Sequence, residues 1–379
     1  MKRKIFIVTE RRADFSRFKP IIKLIKSSKN LDYILIVTGN HIIDEYGKSI
    51  KEIKNERFKI SKTFRMFLKN KKNDGAEMVH GMGIAIKELS KIVKKYKPDI
   101  ILSGFDIAAN FAVTVVGAHM NIPVAHIQGG EVSGTIDESI RHAMSKFSHY
   151  HFVSNLDAKK RLIKMGEERK NIYVVGCPSI DALIQEKSFS NDYIMKKFKI
   201  DLRKKYLILI QHPITTETNS GEQITNTLKA IKNLDIDKLI VYPNNDAGSK
   251  KIISVLKNSS YKVVKTLNLK EYKTLLSNAS MLIGNSSSGI HEAATFKIPV
   301  INIGTRQNGR LKPNNVITTS YKTNEIEKKI KYVLYNENFK KKINYIKNPY
   351  GDGKSAVKIV KLLTKIKLKG NIIQKKITY

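Results

Sequence analysis

Residues 123–142 read PVAHIQGGEVSGTIDESIRH. PVAHI (123–127) is a short apolar run of the kind that forms a buried strand. The chain then leaves through Gly129 and Gly130 and sets Glu131, Asp137 and Glu138 within eight positions, with Arg141 and His142 directly behind. A plain surface turn needs polar residues, but not this density of titratable groups. In an open parallel α/β sheet, ligands bind beyond the carboxyl ends of the strands, and a glycine turn loaded with ionisable side chains belongs there.

The same alternation continues on both sides. IFIVT (5–9) is followed by a helical stretch from about Asp14, then by YILIVTG (33–39) and a polar, lysine-rich excursion over 48–73. A helix around 77–96 leads to DIILSG (99–104), another starts near 107, and HYHFVS (149–154) and IYVVG (172–176) follow. The chain turns polar over 184–193 and then starts a second series: YLILIQ (206–211), LIVYP (239–243), YKVVK (261–265), MLIGN (281–285) and PVINIG (299–304). Short apolar runs between longer amphipathic ones predict parallel strands joined by helices. At 379 residues the chain exceeds one ordinary core. The expectation is an α/β protein of two doubly wound, Rossmann-like domains, residues 1–183 and 184–354, with the ligand in the cleft between them. A basic helix and tail over 355–379 complete it, with apolar stripes through Val357, Val360 and Leu363 and through Ile359, Leu362 and Ile366, expected to pack rather than to dock on a membrane.

Composition narrows the function. An apolar content of 41% with 8% aromatics is that of a globular chain. The single cysteine, Cys177, excludes an intramolecular disulfide framework and a cysteine-based zinc site, and fits a reducing cytoplasm. The apolar run in MKRKIFIVTE is too short for a signal peptide, and no stretch approaches the roughly 18 apolar residues of a membrane span. The expected protein is soluble and cytoplasmic. The net charge of +37 comes from lysines scattered through every segment, whereas nucleic-acid binding calls for clustered charge, so nucleic acid is not an expected partner. Arginines number only twelve, and five of them, Arg11, Arg12, Arg141, Arg306 and Arg310, fall inside the glycine- and carboxylate-rich motifs. Those places call for a planar, bidentate, always-charged donor.

Each motif has a bland and a chemical reading. In TERRADFSRFKP (9–20), Asp14 or Ser16 caps the next helix, or Arg12 and Ser16 meet an anion at its start. GNSSSGIHEAA (284–294) opens a helix with small residues and hydroxyls, including Ser286 and Ser287, that let a phosphate approach backbone N–H groups. Glu292 there either closes a capping box or accepts hydrogen bonds from a ribose. NIGTRQNGR (302–310) brings Arg306 and Arg310. His212 in QHPITTET (211–218) is a surface histidine or a phosphate or proton contact, and YPNNDAG (242–248) offers Asn244 beside it. Asp106 in SGFDIAAN (103–110) is an N-cap, or it joins Glu131 and Asp137 in a carboxylate cluster. Carboxylates repel a diphosphate, so such a cluster handles protons on the sugar end of the ligand. Neighbouring like charges would also hold an acid and a base together near neutral pH.

Taken together and in this order, HIQGGEVSGTIDESIRH, QHP, GNSSSGIHEAA and GTRQNGR resemble the hydrolysing UDP-N-acetylglucosamine 2-epimerases of sialic acid and related nonulosonate pathways, over about residues 4–365. The resemblance implies a glycosyltransferase-B fold and a homo-oligomer, dimer or tetramer. It implies a reaction without metal or other cofactor that releases UDP and N-acetylmannosamine through a glycal. By position it implies Asp106 and Asp137 as catalytic acids, His212 as a site histidine, and Arg12, Ser16, Asn244, Ser286, Ser287, Glu292 and Arg306 as UDP contacts. Relatives often carry a catalytic Glu where this chain has Gln128; either Glu131, three positions on, takes that role or the chemistry is distributed differently. The alternatives are the same reaction on a UDP-2,4-diacetamido-2,4,6-trideoxyhexose, a non-hydrolysing epimerase, and a glycosyltransferase of the same fold.

Overall fold

The computed structural model describes residues 2–44, 48–67, 74–105, 108–368, 370 and 372–378. The chain separates into two compact units, one of residues 1–131, 137–182 and 350–379, the other of residues 132–136 and 183–349. The helix and tail expected over 355–379 fall within the first unit, whose last stretch begins at residue 350, and residues 132–136 count with the second.

Seven strands make the first sheet: β1 (Arg3–Thr9), β2 (Leu31–Val37), β3 (Ile60–Thr63), β4 (Ile100–Gly104), β5 (Val124–Ile127), β6 (Tyr150–Val153) and β7 (Ile172–Val174). Their order is β3-β2-β1-β4-β5-β6-β7, all parallel. Successive side chains of a strand point to opposite faces, and here both faces are covered. Ile5 and Ile7 join Phe15, Phe18 and Ile22 of the helix Arg12–Lys26 in one core. Phe6 and Val8 join Leu89 and Val93 of the helix Gly75–Tyr96 and Val113 of the helix Ala108–His119 in the other. That is why these strands read as unbroken apolar runs.

The second sheet has six parallel strands: β8 (Tyr206–Ile210), β9 (Asp237–Val241), β10 (Val263–Val264), β11 (Met281–Gly284), β12 (Val300–Ile303) and β13 (Val316–Thr319). Their order is β10-β9-β8-β11-β12-β13, and the same two-sided burial recurs, Leu207 and Leu209 on one face, Ile208 and Ile210 on the other. Each sheet is doubly wound, and its strand order reverses once, between β1 and β4 and between β8 and β11. Those are the topological switch points where such sheets take ligands.

The helix Ser355–Lys365 completes the first unit. Ala356, Ile359 and Leu363, with Ile366 after them, lie in the same core as Phe15 and Phe18. Val357, expected in its apolar stripe, is instead 55% exposed. The buried Asp181 carboxylate accepts the Ser355 N–H (3.1 Å) and the Ala356 N–H (2.7 Å), satisfying the start of this helix. Farther on, Lys375 Nζ donates to Glu167 (2.6 Å) and to the carbonyls of Ser145 (3.0 Å) and Lys146 (2.9 Å). Glu167 also accepts from buried His151 (2.9 Å) and pairs with Lys146 (2.9 Å). Among the described residues no helix is long and apolar enough to cross a membrane.

Candidate functional site

In the second unit the switch point is sewn together by one side chain. Gly284 ends β11 with φ +123°, and any side chain there would collide with the Ile210 carbonyl oxygen of β8. The next residue, Asn285, is fully buried; its Oδ1 accepts the His212 N–H (2.7 Å) and its Nδ2 donates to the His212 carbonyl (2.9 Å). His212 Nδ1 in turn accepts the Asn244 N–H (3.0 Å) from the loop after β9. An imidazole whose Nδ1 accepts carries its proton on Nε2 when neutral, so His212 presents a donor rather than a base at that nitrogen.

The Asn285 carbonyl accepts from Gln307 Nε2 (2.8 Å) and from Arg306 Nη1 (3.3 Å). Arg306 Nε is buried and has no hydrogen-bond partner among the described residues. A guanidinium held on one side with a donor left over is suited to an anion. The loop of residues 132–136 lies against the same segment: Gly134 N–H donates to the Arg306 carbonyl (3.0 Å), and Arg310 Nε donates to the Val132 carbonyl (2.9 Å).

Ser286 caps the short helix Ser287–His291, its Oγ accepting the Ser288 N–H. Glu292, expected one turn into a longer helix, is instead the residue on which this helix ends, and it closes no capping box. Asn244 lends its side-chain N–H to Asp246, and its Oδ1 is buried with no partner among the described residues. Tyr272 and Ser288 share a hydroxyl hydrogen bond; burial pushes the Tyr272 phenol well above its usual range, and the Glu292 charge adds to the shift.

In the first unit Asp106 lies outside the described residues. At the end of β1, Arg12 is turned onto Glu52, with Nε at 2.8 Å and Nη2 at 2.5 Å from one carboxylate oxygen. Ser16 lies in the body of the first helix rather than at its start, and its hydroxyl donates to the Ala13 carbonyl (2.9 Å). The turn is held by Asp14, which accepts the Thr9 hydroxyl (3.0 Å) and the Glu10 (2.8 Å) and Arg11 (2.9 Å) N–H groups. Burial raises the Asp14 carboxyl to about 6, against those two N–H groups, which lower it. Beside it His41 bonds Thr9 Oγ1 (2.9 Å) and Ser49 Oγ (2.7 Å), and burial brings it down to about 3. His41 is therefore neutral at physiological pH.

Glu131 stands where the glycine turn after β5 ends. It is 4% exposed, and one oxygen, Oε1, accepts the Ser154 hydroxyl (2.6 Å) and the Gln128 amide Nε2 (3.1 Å). Buried Arg141 donates to the Glu131 backbone carbonyl (2.8 Å). Both of these donors, a hydroxyl and an amide, are neutral. Asp137, partly exposed, is the first residue of the helix Asp137–Phe147. Among the described residues no group of three or more His, Cys, Asp and Glu is placed to hold a metal ion.

Sequence reasoning did not single out Asn285, Ser154 or Gln307. The first two share a signal that could have found them: each is the first polar residue after a buried strand, and Asn285 stands at a switch point.

Two parallel, doubly wound sheets with polar side chains gathered at their strand ends make an α/β fold of the glycosyltransferase-B kind. The chain belongs to the UDP-N-acetylglucosamine 2-epimerase family, whose model matches residues 23–364. It is 35% identical over 380 residues, 99% of each chain, to the UDP-N,N'-diacetylbacillosamine 2-epimerase (hydrolyzing) of Legionella pneumophila. It is also 35% identical over 330 residues, 86% of each chain, to the UDP-N-acetylglucosamine 2-epimerase of Neisseria meningitidis serogroup B. Among solved structures, the UDP-GlcNAc 2-epimerase from Neisseria meningitidis bound to UDP-GlcNAc matches with a TM-score of 0.83 at 19% identity, covering 96% of this chain and 100% of that one.

Proposed function

We propose that this enzyme is a hydrolysing 2-epimerase of a UDP-2-acetamido sugar, with UDP-N,N'-diacetylbacillosamine as its substrate. The end-to-end likeness to the Legionella relative supports that sugar. A second reading, UDP-N-acetylglucosamine giving N-acetylmannosamine, is supported by the Neisseria relative. The structural observation that carries the proposal is the buried Glu131 carboxylate, held by Ser154 and Gln128 at the end of the turn after β5.

In this mechanism UDP departs as the C1–O bond breaks, and a carboxylate removes the proton from C2, leaving a glycal. Water then adds across the double bond, its oxygen to C1 and a proton to C2 on the opposite face, giving free sugar inverted at C2. Glu131, Asp137 and Asp106 are the groups assigned to these proton transfers. Arg306 and His212 stabilise the charge that develops on the leaving diphosphate, with Asn244, Ser286 and Ser287 beside them and Glu292 on the ribose. Arg12 and Ser16 complete the UDP contacts, Arg12 exchanging Glu52 for phosphate.

The test is an incubation in D₂O with each UDP-sugar. The expected products are stoichiometric UDP and a free sugar with inverted C2 carrying deuterium there. Recovery of intact UDP-sugar epimerised at C2 would show a non-hydrolysing enzyme. A free sugar that kept its own C2 hydrogen would reduce the reaction to simple hydrolysis and end the epimerase proposal.

Removing Arg306 is expected to weaken UDP binding by roughly 1 to 3 kcal/mol, the worth of a charge-assisted contact. Calorimetry of Arg306→Ala checks this, and an unchanged UDP affinity would take Arg306 out of the site.

A further inference from the structure

Gln128 is placed at a cost. It follows β5 directly with φ +61°, a left-handed conformation that strains a residue with a side chain. Its backbone N–H is fixed to the Phe152 carbonyl (2.9 Å) of β6, and it is 4% exposed. Nε2 donates to Glu131, and Oε1 is buried with no hydrogen-bond partner among the described residues. The two glycines that follow allow the chain to turn back: a side chain at Gly129 would lie 2.8 Å from His126 Nδ1, and Gly130 has φ +77°. Ser154, the first residue past β6 and 2% exposed, delivers a second neutral donor to the same carboxylate oxygen. An amide serving stability alone would have its oxygen satisfied and its backbone relaxed. Strain, an orphaned acceptor and a buried carboxylate gathered on the ends of two neighbouring strands point to function.

Resting on the proposed epimerase chemistry, we propose that Gln128 and Ser154 are positioning residues that hold the Glu131 carboxylate in one orientation for proton transfer at the sugar, and that the amide at residue 128, where relatives often carry a glutamate, lets Glu131 titrate without a second acid at that place. Other groups face Glu131 as well. Arg141, on the helix Asp137–Phe147, is bonded to the Glu131 main-chain carbonyl. Cys177, past β7, feels the Glu131 charge, but burial pushes its thiol up to about 11 despite Arg17, so it stays neutral. Gln128→Glu would set a second carboxylate about 3 Å from the first, and two carboxylates so close share one proton rather than both ionise.

The experiment compares the pH dependence of kcat/KM for wild type, Gln128→Glu and Ser154→Ala, with thermal melting to verify folding. Gln128→Glu is expected to move the acidic limb up by about one pH unit or more, losing activity at neutral pH and recovering it at higher pH. Ser154→Ala is expected to lower kcat by about 10- to 100-fold, the effect of a misplaced catalytic group, with KM within about twofold. Ser154→Thr, which keeps the hydroxyl, should restore most of it. An acidic limb unmoved in a folded Gln128→Glu protein, or wild-type kcat in Ser154→Ala, overturns the proposal. Should Gln128→Glu not fold, the serine pair decides alone. Carbon NMR of labelled Glu131, assigned through Glu131→Gln, reads the coupling without substrate. Its titration should move up in Gln128→Glu even if neither UDP-sugar is turned over, which separates failure of this inference from failure of the assigned function.

Discussion

Glu131→Gln is expected to lower kcat by about 10² to 10⁴, with KM changed only a few fold, the range for a general acid–base group. That corresponds to about 3 to 5 kcal/mol of transition-state stabilisation. The substitution is chosen because an amide oxygen at 131 can still accept the Ser154 hydroxyl and the Gln128 N–H that now converge on Oε1. With thermal melting showing that the variant is folded, the loss reports the missing proton acceptor rather than a damaged fold. Release of UDP and exchange of the C2 hydrogen with solvent should fall together. A variant with nearly wild-type kcat would make Glu131 a structural residue and leave Asp137 and Asp106 to carry the chemistry.

The second large effect is on stability. Glu167 is 2% exposed and holds His151, Lys146 and Lys375. Burial alone would raise its carboxyl, but hydrogen bonds and charge from His151 and Lys375 outweigh burial and hold it at about 2. A carboxyl with a folded pKa below its unfolded value of 4.5 stabilises the fold fully above about pH 4.5, and the contribution disappears as pH falls toward 2. Glu167→Gln is expected to cost about 3 kcal/mol at pH 7, of the order implied by that shift and by the loss of a buried charge's partner. The gap between wild type and variant should close as pH is lowered from 5 toward about 2.5. Urea unfolding of both proteins across that interval measures it; a gap independent of pH would mean that the loss comes from packing and not from the ionised carboxylate.

The strands that the sequence reveals best are those buried on both faces. IFIV and ILIV carry no polar residue because helices lie on either side of them, so their hydrophobic runs were legible at once. β3 and β13 were not recognised: ISKT and VITT are four-residue edge strands, partly exposed, with three polar residues in the first and two in the second. YKVVK shrinks to Val263–Val264, again at an edge. The strand-end motifs were visible because glycine and charged residues interrupt apolar runs. What those side chains do was less visible, since it depends on partners far along the chain. Arg12 faces Glu52, forty positions away, and Asn285 is bonded to His212, seventy-three away. Glu292 stood out as a functional group, but the point where its helix stops depends on the chain turning into Ala293–Phe296, which no residue pattern announces.

The helix Ser355–Lys365 shares a core with β1 and with the helix Arg12–Lys26. On the ribosome these two segments emerge at opposite ends of synthesis. At about 5 to 20 residues per second, the helix Arg12–Lys26 waits roughly 20 to 70 seconds for the helix that completes the core around Phe15 and Phe18. During that interval an apolar face stays open, while residues 183–349 are already complete enough to form their own sheet. Maturation of the nascent chain therefore ends with the unit that was begun first, and cleavage near residue 350 would leave it with an uncovered core.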